Sequence, residues 1–229
     1  MHTTTFFEEE MADHVRPEEL VGPLNDVEAK HAPDQLYVQG DSDLLKRPRI
    51  AIVGTRNPSP EGIRKAQTIA EFLVEKNVVV VSGLADGIDT IAHNTAIERG
   101  GRTVAVLGTP LDQYYPTKNR QLQDRIAQDY LLITQFSPNS LVQKMNFPLR
   151  NRTMALLSHA SVIVEAGKSS GTQHQGWEAL RLGRPLFIEE GLVQDKTLVW
   201  PQKLVEYGAQ PFSLDDLDVL LEVLPELLI

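Results

Sequence analysis

The sequence predicts an α/β domain built on a doubly wound, mostly parallel sheet. Two observations point there. Short β-branched runs that are apolar throughout recur along the middle of the chain, and amphipathic helical stretches separate them. A strand that is apolar on both faces belongs to a sheet covered on both sides, which is the situation of parallel strands between helix layers. Strand, helix, strand in regular alternation then implies right-handed crossovers.

The elements follow in order. Residues 1–35 are acidic, carry Pro17, Pro23 and Pro33, and read as weakly structured. Residues 36–45 suit a short extended piece and a turn. Strands are predicted at 49–53, 78–82, 102–107, 130–135, 161–165 and 185–188. A helix over 60–76 places Ile63, Ala66, Ile69, Ala70 and Leu73 on one side. A second, over 87–99, carries Ile88, Ile91, Ala92, Ala96 and Ile97 and stops at Gly100-Gly101. A third covers 118–128, and a fourth covers 173–182 and ends at Gly183, a C-cap residue. The tail opens with Ser213 and Asp216, spaced like a capping box. Leu214, Leu217, Leu220, Leu221, Leu224 and Leu228 then form a stripe. That stripe predicts an amphipathic C-terminal helix, packed on the chain's own core or used for association. The division expected is an acidic extension (1–45), a core (46–212) and a C-terminal helix (213–229).

Composition narrows the function classes. With 229 residues and no cysteine, a disulfide framework, thiolate metal sites and cysteine nucleophiles are excluded. No apolar run reaches membrane-spanning length, and the N-terminus lacks the basic region of a secretory signal, so a cytoplasmic protein is expected. The net charge of −9 is uneven. Residues 1–45 carry −9 and 214–229 carry −5, leaving +5 on the middle. Long-range attraction to a polyanion is therefore weak, but a local anion site is compatible with the basic core.

In an open parallel sheet, ligands bind beyond the carboxyl ends of the strands. After the first core strand stand Gly54, Thr55, Arg56 and Asn57: a tight turn, two donors and a guanidinium able to hold a phosphate bidentately. The helix starting at Pro60 would add its positive end. The plainer reading of Arg56 is a surface arginine paired with a carboxylate. After the second strand come Ser82 and Gly83, with Asp86 placed to cap the next helix. Beyond them His93 reads as a packed, hydrogen-bonded histidine. After the third come Gly108 and Thr109, then Tyr114 and Tyr115, able to stack on a base or to lid the core. Arg150, Asn151 and Arg152 form the densest cationic cluster, at a predicted helix start. After the fifth strand, Ser170, Gly171 and Thr172 open a helix whose free N–H groups suit an anion. Neither Gly-x-Gly-x-x-Gly nor Gly-Lys-Ser/Thr occurs, no Gly-x-Ser-x-Gly elbow is present, and the six histidines lack ligand spacing. No metal or cofactor is expected. The site inferred takes a phosphate, a nucleotide or a nucleic-acid backbone.

These motifs, in this order, carry a family resemblance. Gly54-Thr55-Arg56, Ser82-Gly83-Leu84-Ala85-Asp86-Gly87-Ile88-Asp89, Ala105-Val106-Leu107-Gly108, Phe147-Pro148-Leu149-Arg150-Asn151-Arg152 and Val164-Glu165-Ala166 with Ser170-Gly171 resemble the DprA/Smf family (DNA-processing protein A) over roughly residues 35–190. The resemblance implies an extended Rossmann-like core, single-stranded DNA binding, a homodimer, loading of a RecA-like recombinase in transformation and recombination, and no enzymatic step. It implies that Arg56 contacts a DNA phosphate and that Arg150, Asn151 and Arg152 shape the same pocket. Asp86 stands where the family has arginine, Thr109-Pro110 replaces a small pair, and Gln173-His174-Gln175-Gly176 replaces a more aliphatic run. Against the family's pattern, the expectation is an N-terminal part of only about 45 residues, acidic in net charge, and no tail of winged-helix size after the core. Two alternatives stand beside this reading. One is a module sensing a small nucleotide in stress or defence signalling. The other is a nucleotide phosphoribohydrolase of the lysine-decarboxylase-like group, whose glycine-rich motif Ser170-Gly171-Thr172 with Glu178 faintly resembles.

Overall fold

The computed structural model describes residues 14–168 and 171–225. The first strands are β1 (His14–Val15), β2 (Leu36–Gly40), β3 (Arg49–Val53), β4 (Val79–Ser82) and β5 (Thr103–Leu107). They are followed by β6 (Leu131–Thr134), β7 (Ala160–Ile163), β8 (Leu186–Glu189) and β9 (Gln210–Phe212). The helices are α1 (Pro17–Val21), α2 (Asp26–His31), α3 (Pro60–Glu75), α4 (Ile88–Glu98) and α5 (Arg120–Asp129), then α6 (Asn146–Leu156), α7 (Thr172–Arg181), α8 (Glu190–Gln194) and α9 (Trp200–Glu206). The strands form one sheet in the order β1-β2-β6-β5-β4-β3-β7-β8-β9. From β6 to β9 the strands run parallel, and β2 closes one edge antiparallel to β6. The six predicted strands fall on β3 to β8.

Alternation along the strands divides the core. Ala51 and Val53 of β3 face one layer, with Met154 and Leu156 of α6, Ala179 of α7 and Leu204 of α9. Ile50 and Ile52 face the other, with Ala66, Ile69, Ala70 and Leu73 of α3 and Ala92 and Ala96 of α4. Helices on both faces explain why these strands read as unbroken apolar runs.

Two expectations fail at the ends of the chain. The weakly structured reading of residues 1–35 does not hold for 14–35, which contain β1, α1 and α2. Within this stretch Glu28 is both a cap partner and an anchor. Asn25 caps α2, Glu28 returns the bond to the Asn25 N–H at 2.9 Å, and Glu28 also pairs with Arg184 at 2.6 Å. The amphipathic C-terminal helix is also absent: residues 213–225 form turns with one short 3-10 segment, Asp218–Leu220. Leu214, Leu217 and Leu220 recur every three residues, the 3-10 period, so a tighter path puts them on one side. Leu217 and Leu220 are buried against the α3 and α4 layer, so this part of the stripe packs on the chain's own core; Leu228 lies outside the described residues. Because Leu220 is fully enclosed, Leu220→Ala is expected to lower unfolding stability by roughly 2–5 kcal/mol. Urea titration checks this, and a loss below about 0.5 kcal/mol, the range of a surface change, would mean that the tail does not belong to the core.

Candidate functional site

The chain leaves β3 outward through β4, β5 and β6, then returns to β7 on the other side of β3. The loops after β3 and β7 therefore diverge at the carboxyl edge, where a crevice forms in open α/β sheets. A cleft of about 430 Å³ opens there. Gly54, Thr55, Arg56 and Asn57 line it from the β3 loop, Arg150 and Asn151 from α6, and Gly171 and Thr172 from the start of α7. Phe147, Lys168, His174 and Gln175 also line it and were not singled out as ligands from the sequence. Ser170 lies outside the described residues.

The two loops are fastened to each other. The Thr55 N–H donates to the Glu165 carbonyl at 2.7 Å. The Glu165 carboxylate accepts from the Ser59 N–H and hydroxyl, each at 3.1 Å, while the Ser59 Oγ accepts from the Gly62 N–H at 3.0 Å. A Cβ at position 62 would overlap this carboxylate, so glycine is required for the close approach. The expectation that α3 lends its positive end to a ligand is thus corrected: an internal carboxylate already occupies that end. At α7 the N-cap is Gly171, which supplies no side-chain cap, and the first turn carries no acid.

Arg56 is exposed and makes no ion pair among the described residues; the paired-surface reading does not hold. Its guanidinium lies 5.7 Å from the centroid of the Phe147 ring, within cation–π range. Phe147 in turn meets Tyr115 at 5.1 Å, and Tyr115 is 47% exposed. A cation and two rings thus stand in a row at the rim. Tyr114 separates from its neighbour: its hydroxyl donates to Asp124 at 2.8 Å, and Arg120 covers its ring.

Arg150 has a different role from Arg56. It is buried, lies 3.8 Å from the Asp89 carboxylate and donates to the Val106 carbonyl at 3.2 Å. Gly83 lets it pass, since any Cβ there would overlap the guanidinium. Asp89 also accepts from the Gly83 and Ala85 N–H groups at 3.2 and 3.3 Å. Between them Leu84 takes φ 56°, an uncommon region for a bulky residue, with its carbonyl held by the Asn119 amide at 3.0 Å. Burial pushes the Asp89 carboxyl above its ordinary value, opposed by Arg150. Arg150 therefore braces α6, and with it Phe147, against the β4 loop.

The remaining residues singled out in the sequence do not line the cleft. Ser82 is buried and donates to the Ile52 carbonyl at 2.7 Å; Thr109 is buried and bonds the Gln113 carbonyl. Gly108 backs the Phe147 ring. Arg152 points from α6 to α7, where its Nε meets Glu178 at 2.7 Å, so its assignment to the same pocket is corrected. Glu178, on which the phosphoribohydrolase resemblance turns, is held there by Arg152 and Arg181. Asp86 does not cap α4, which begins after Gly87; it pairs with Lys118 at 3.0 Å. His93 is packed as expected, 2.6 Å from the Thr103 hydroxyl.

The DNA recombination-mediator protein A family model matches residues 16–224. The chain belongs to this family. It is 39% identical over 179 residues to the DNA processing protein DprA of Streptococcus pneumoniae, covering 78% of this chain and 63% of that one. It is 36% identical over 196 residues to DprA of Bacillus subtilis, covering 85% of this chain and 65% of the relative. The solved structure of the S. pneumoniae protein superposes with a TM-score of 0.78, at 34% identity, over 93% of this chain and 75% of that one. A Helicobacter pylori DprA structure, described for its single-stranded DNA binding mode, gives 0.76 at 29% identity, over 93% and 98%. The family's extended Rossmann-like core is therefore the fold found here.

Burial lowers the His93 imidazole to about 3 and, beside Arg49, His159 to about 4. Both groups stay neutral in the folded chain while the unfolded chain takes up protons near 6.5. Their contribution is full above that pH and is lost as pH falls from about 6.5 towards the folded values. Between pH 7 and 5, His93 alone should remove roughly 2 kcal/mol of stability. Urea unfolding at the two pH values checks this, with a shallower loss in His93→Gln; equal stability at both would refute it.

Proposed function

We propose that the cleft holds the backbone of single-stranded DNA and that the chain serves DNA processing in uptake or recombination. One observation carries this reading: Arg56 is exposed, without an ion pair among the described residues, and lies over Phe147 beside Tyr115. Guanidinium meets phosphate, and rings stack on bases without regard to sequence. Lys168 and the α7 start add positive potential on the facing wall. The Helicobacter pylori relative supports the choice of a single strand. The reading needs binding rather than bond-making, and the phosphoribohydrolase alternative loses its glutamate to Arg152. Recombinase loading and assembly as a homodimer rest on family membership, and so does a cytoplasmic site of action.

Arg56→Ala should weaken binding to a fluorescein-labelled oligo(dT) by roughly tenfold or more near 50 mM salt and flatten the salt dependence. Arg152→Ala should leave affinity within about twofold, because that side chain serves the α6–α7 contact and not the cleft. Fluorescence anisotropy measures both. Absence of oligonucleotide binding by the unaltered protein, or equal losses in the two variants, would overturn the proposal.

A further inference from the structure

The Asp86–Lys118 pair stands at the border of the cleft. Ala85, just before Asp86, lines the cleft. Gly87, just after it, abuts the loop that carries Arg56: a Cβ at position 87 would overlap the Thr55 and Arg56 carbonyls. The Ile88 N–H donates to the same Thr55 carbonyl at 3.1 Å. Lys118 follows Tyr115, the exposed end of the ring row, by three residues. At 3.0 Å the pair therefore bridges the loop packed on Arg56 to the loop that carries Tyr115.

Two neighbouring charges are engaged elsewhere. Asp89 faces the buried Arg150, and Arg120 lies over the Tyr114 ring, 3.9 Å from Asp124. Lys118 is different, since its side chain is 68% exposed and its partner Asp86 is 31% exposed. An exposed ion pair contributes little to stability, so the main effect of this one is on charge at the rim. A strand that meets Arg56 and stacks on Tyr115 passes beside the pair, and a phosphodiester and the Asp86 carboxylate compete there for one ammonium. We infer that Asp86 limits how tightly the protein holds a strand, by occupying Lys118 and keeping it from the phosphates. Asp86 is thereby an affinity-setting residue of the site and Lys118 a masked phosphate ligand. The inference rests on the single-stranded DNA reading of the site.

The test is anisotropy of fluorescein-labelled oligo(dT) across a salt series. Asp86→Asn, which keeps the shape and removes the charge, should bind roughly three- to tenfold more tightly near 50 mM salt, with a salt slope steeper by about 0.7, the value of one further phosphate on a single strand. Lys118→Gln should stay within about twofold of the unaltered protein, because the ammonium is already taken. In the double variant the gain from Asp86→Asn should vanish. Unchanged or weaker binding by Asp86→Asn would overturn the inference, as would a gain that survives in the double variant. Lys118→Gln alters only an exposed side chain and decides independently of how Asp86→Asn folds: a loss beyond twofold would mean that Lys118 already meets the strand, and would overturn the inference too. Each of these failures leaves the DNA reading intact. No binding of oligo(dT) by the unaltered protein would remove that reading, and this inference with it.

Discussion

A carboxylate occupies the anion-binding end of α3, and much of the site's character follows from it. Glu165 reaches from the end of β7 to Ser59 and locks the two loops that diverge from the centre of the sheet. In many α/β proteins a helix end at this place receives a phosphate directly. Here that end is filled from within, and the positive charge open to the cleft is that of side chains. Arg56 projects exposed from the fastened loop.

A second constraint sets the opposite wall. The Asp89 carboxylate gathers the Gly83 and Ala85 amides and stands against the Arg150 guanidinium. Burying such a pair is costly unless hydrogen bonds complete it, and the Val106 carbonyl supplies one. The result is a fixed angle of α6, which places Phe147 under Arg56 and against Tyr115. Two arginines of one cleft thus stand in unlike settings: Arg56 is exposed at the rim, and Arg150 is buried and holds the frame.

The chain as a whole is acidic, and its cleft is not. Some of its acids are engaged outside the cleft, as Glu28 with Arg184 and Asp86 with Lys118 illustrate. Net charge sets the long-range field, while a cleft exposing Arg56 and Lys168 has a local field of the opposite sign.

Residue order alone determined the strands β3 to β8, because a strand covered on both faces must be apolar at every position. It also pointed to the loops after β3 and β7 that line the candidate cleft, but not to their separation from the loops after β4 and β5, whose Ser82 and Thr109 are buried in the frame. Local pattern did not reveal β1, β9, α8 or α9, which are two to seven residues long and are held by contacts distant in sequence. The tail misled for a related reason: leucines three apart fit both a helix and a tighter turn, and packing on α3 and α4 selects the turn. Arg56, Arg150 and Arg152 are the same residue type in similar-looking motifs. Only the folded chain separates them, by burying one against Asp89, pairing one with Glu178 and leaving the third in water, because burial and charge pairing depend on segments that the sequence keeps far apart.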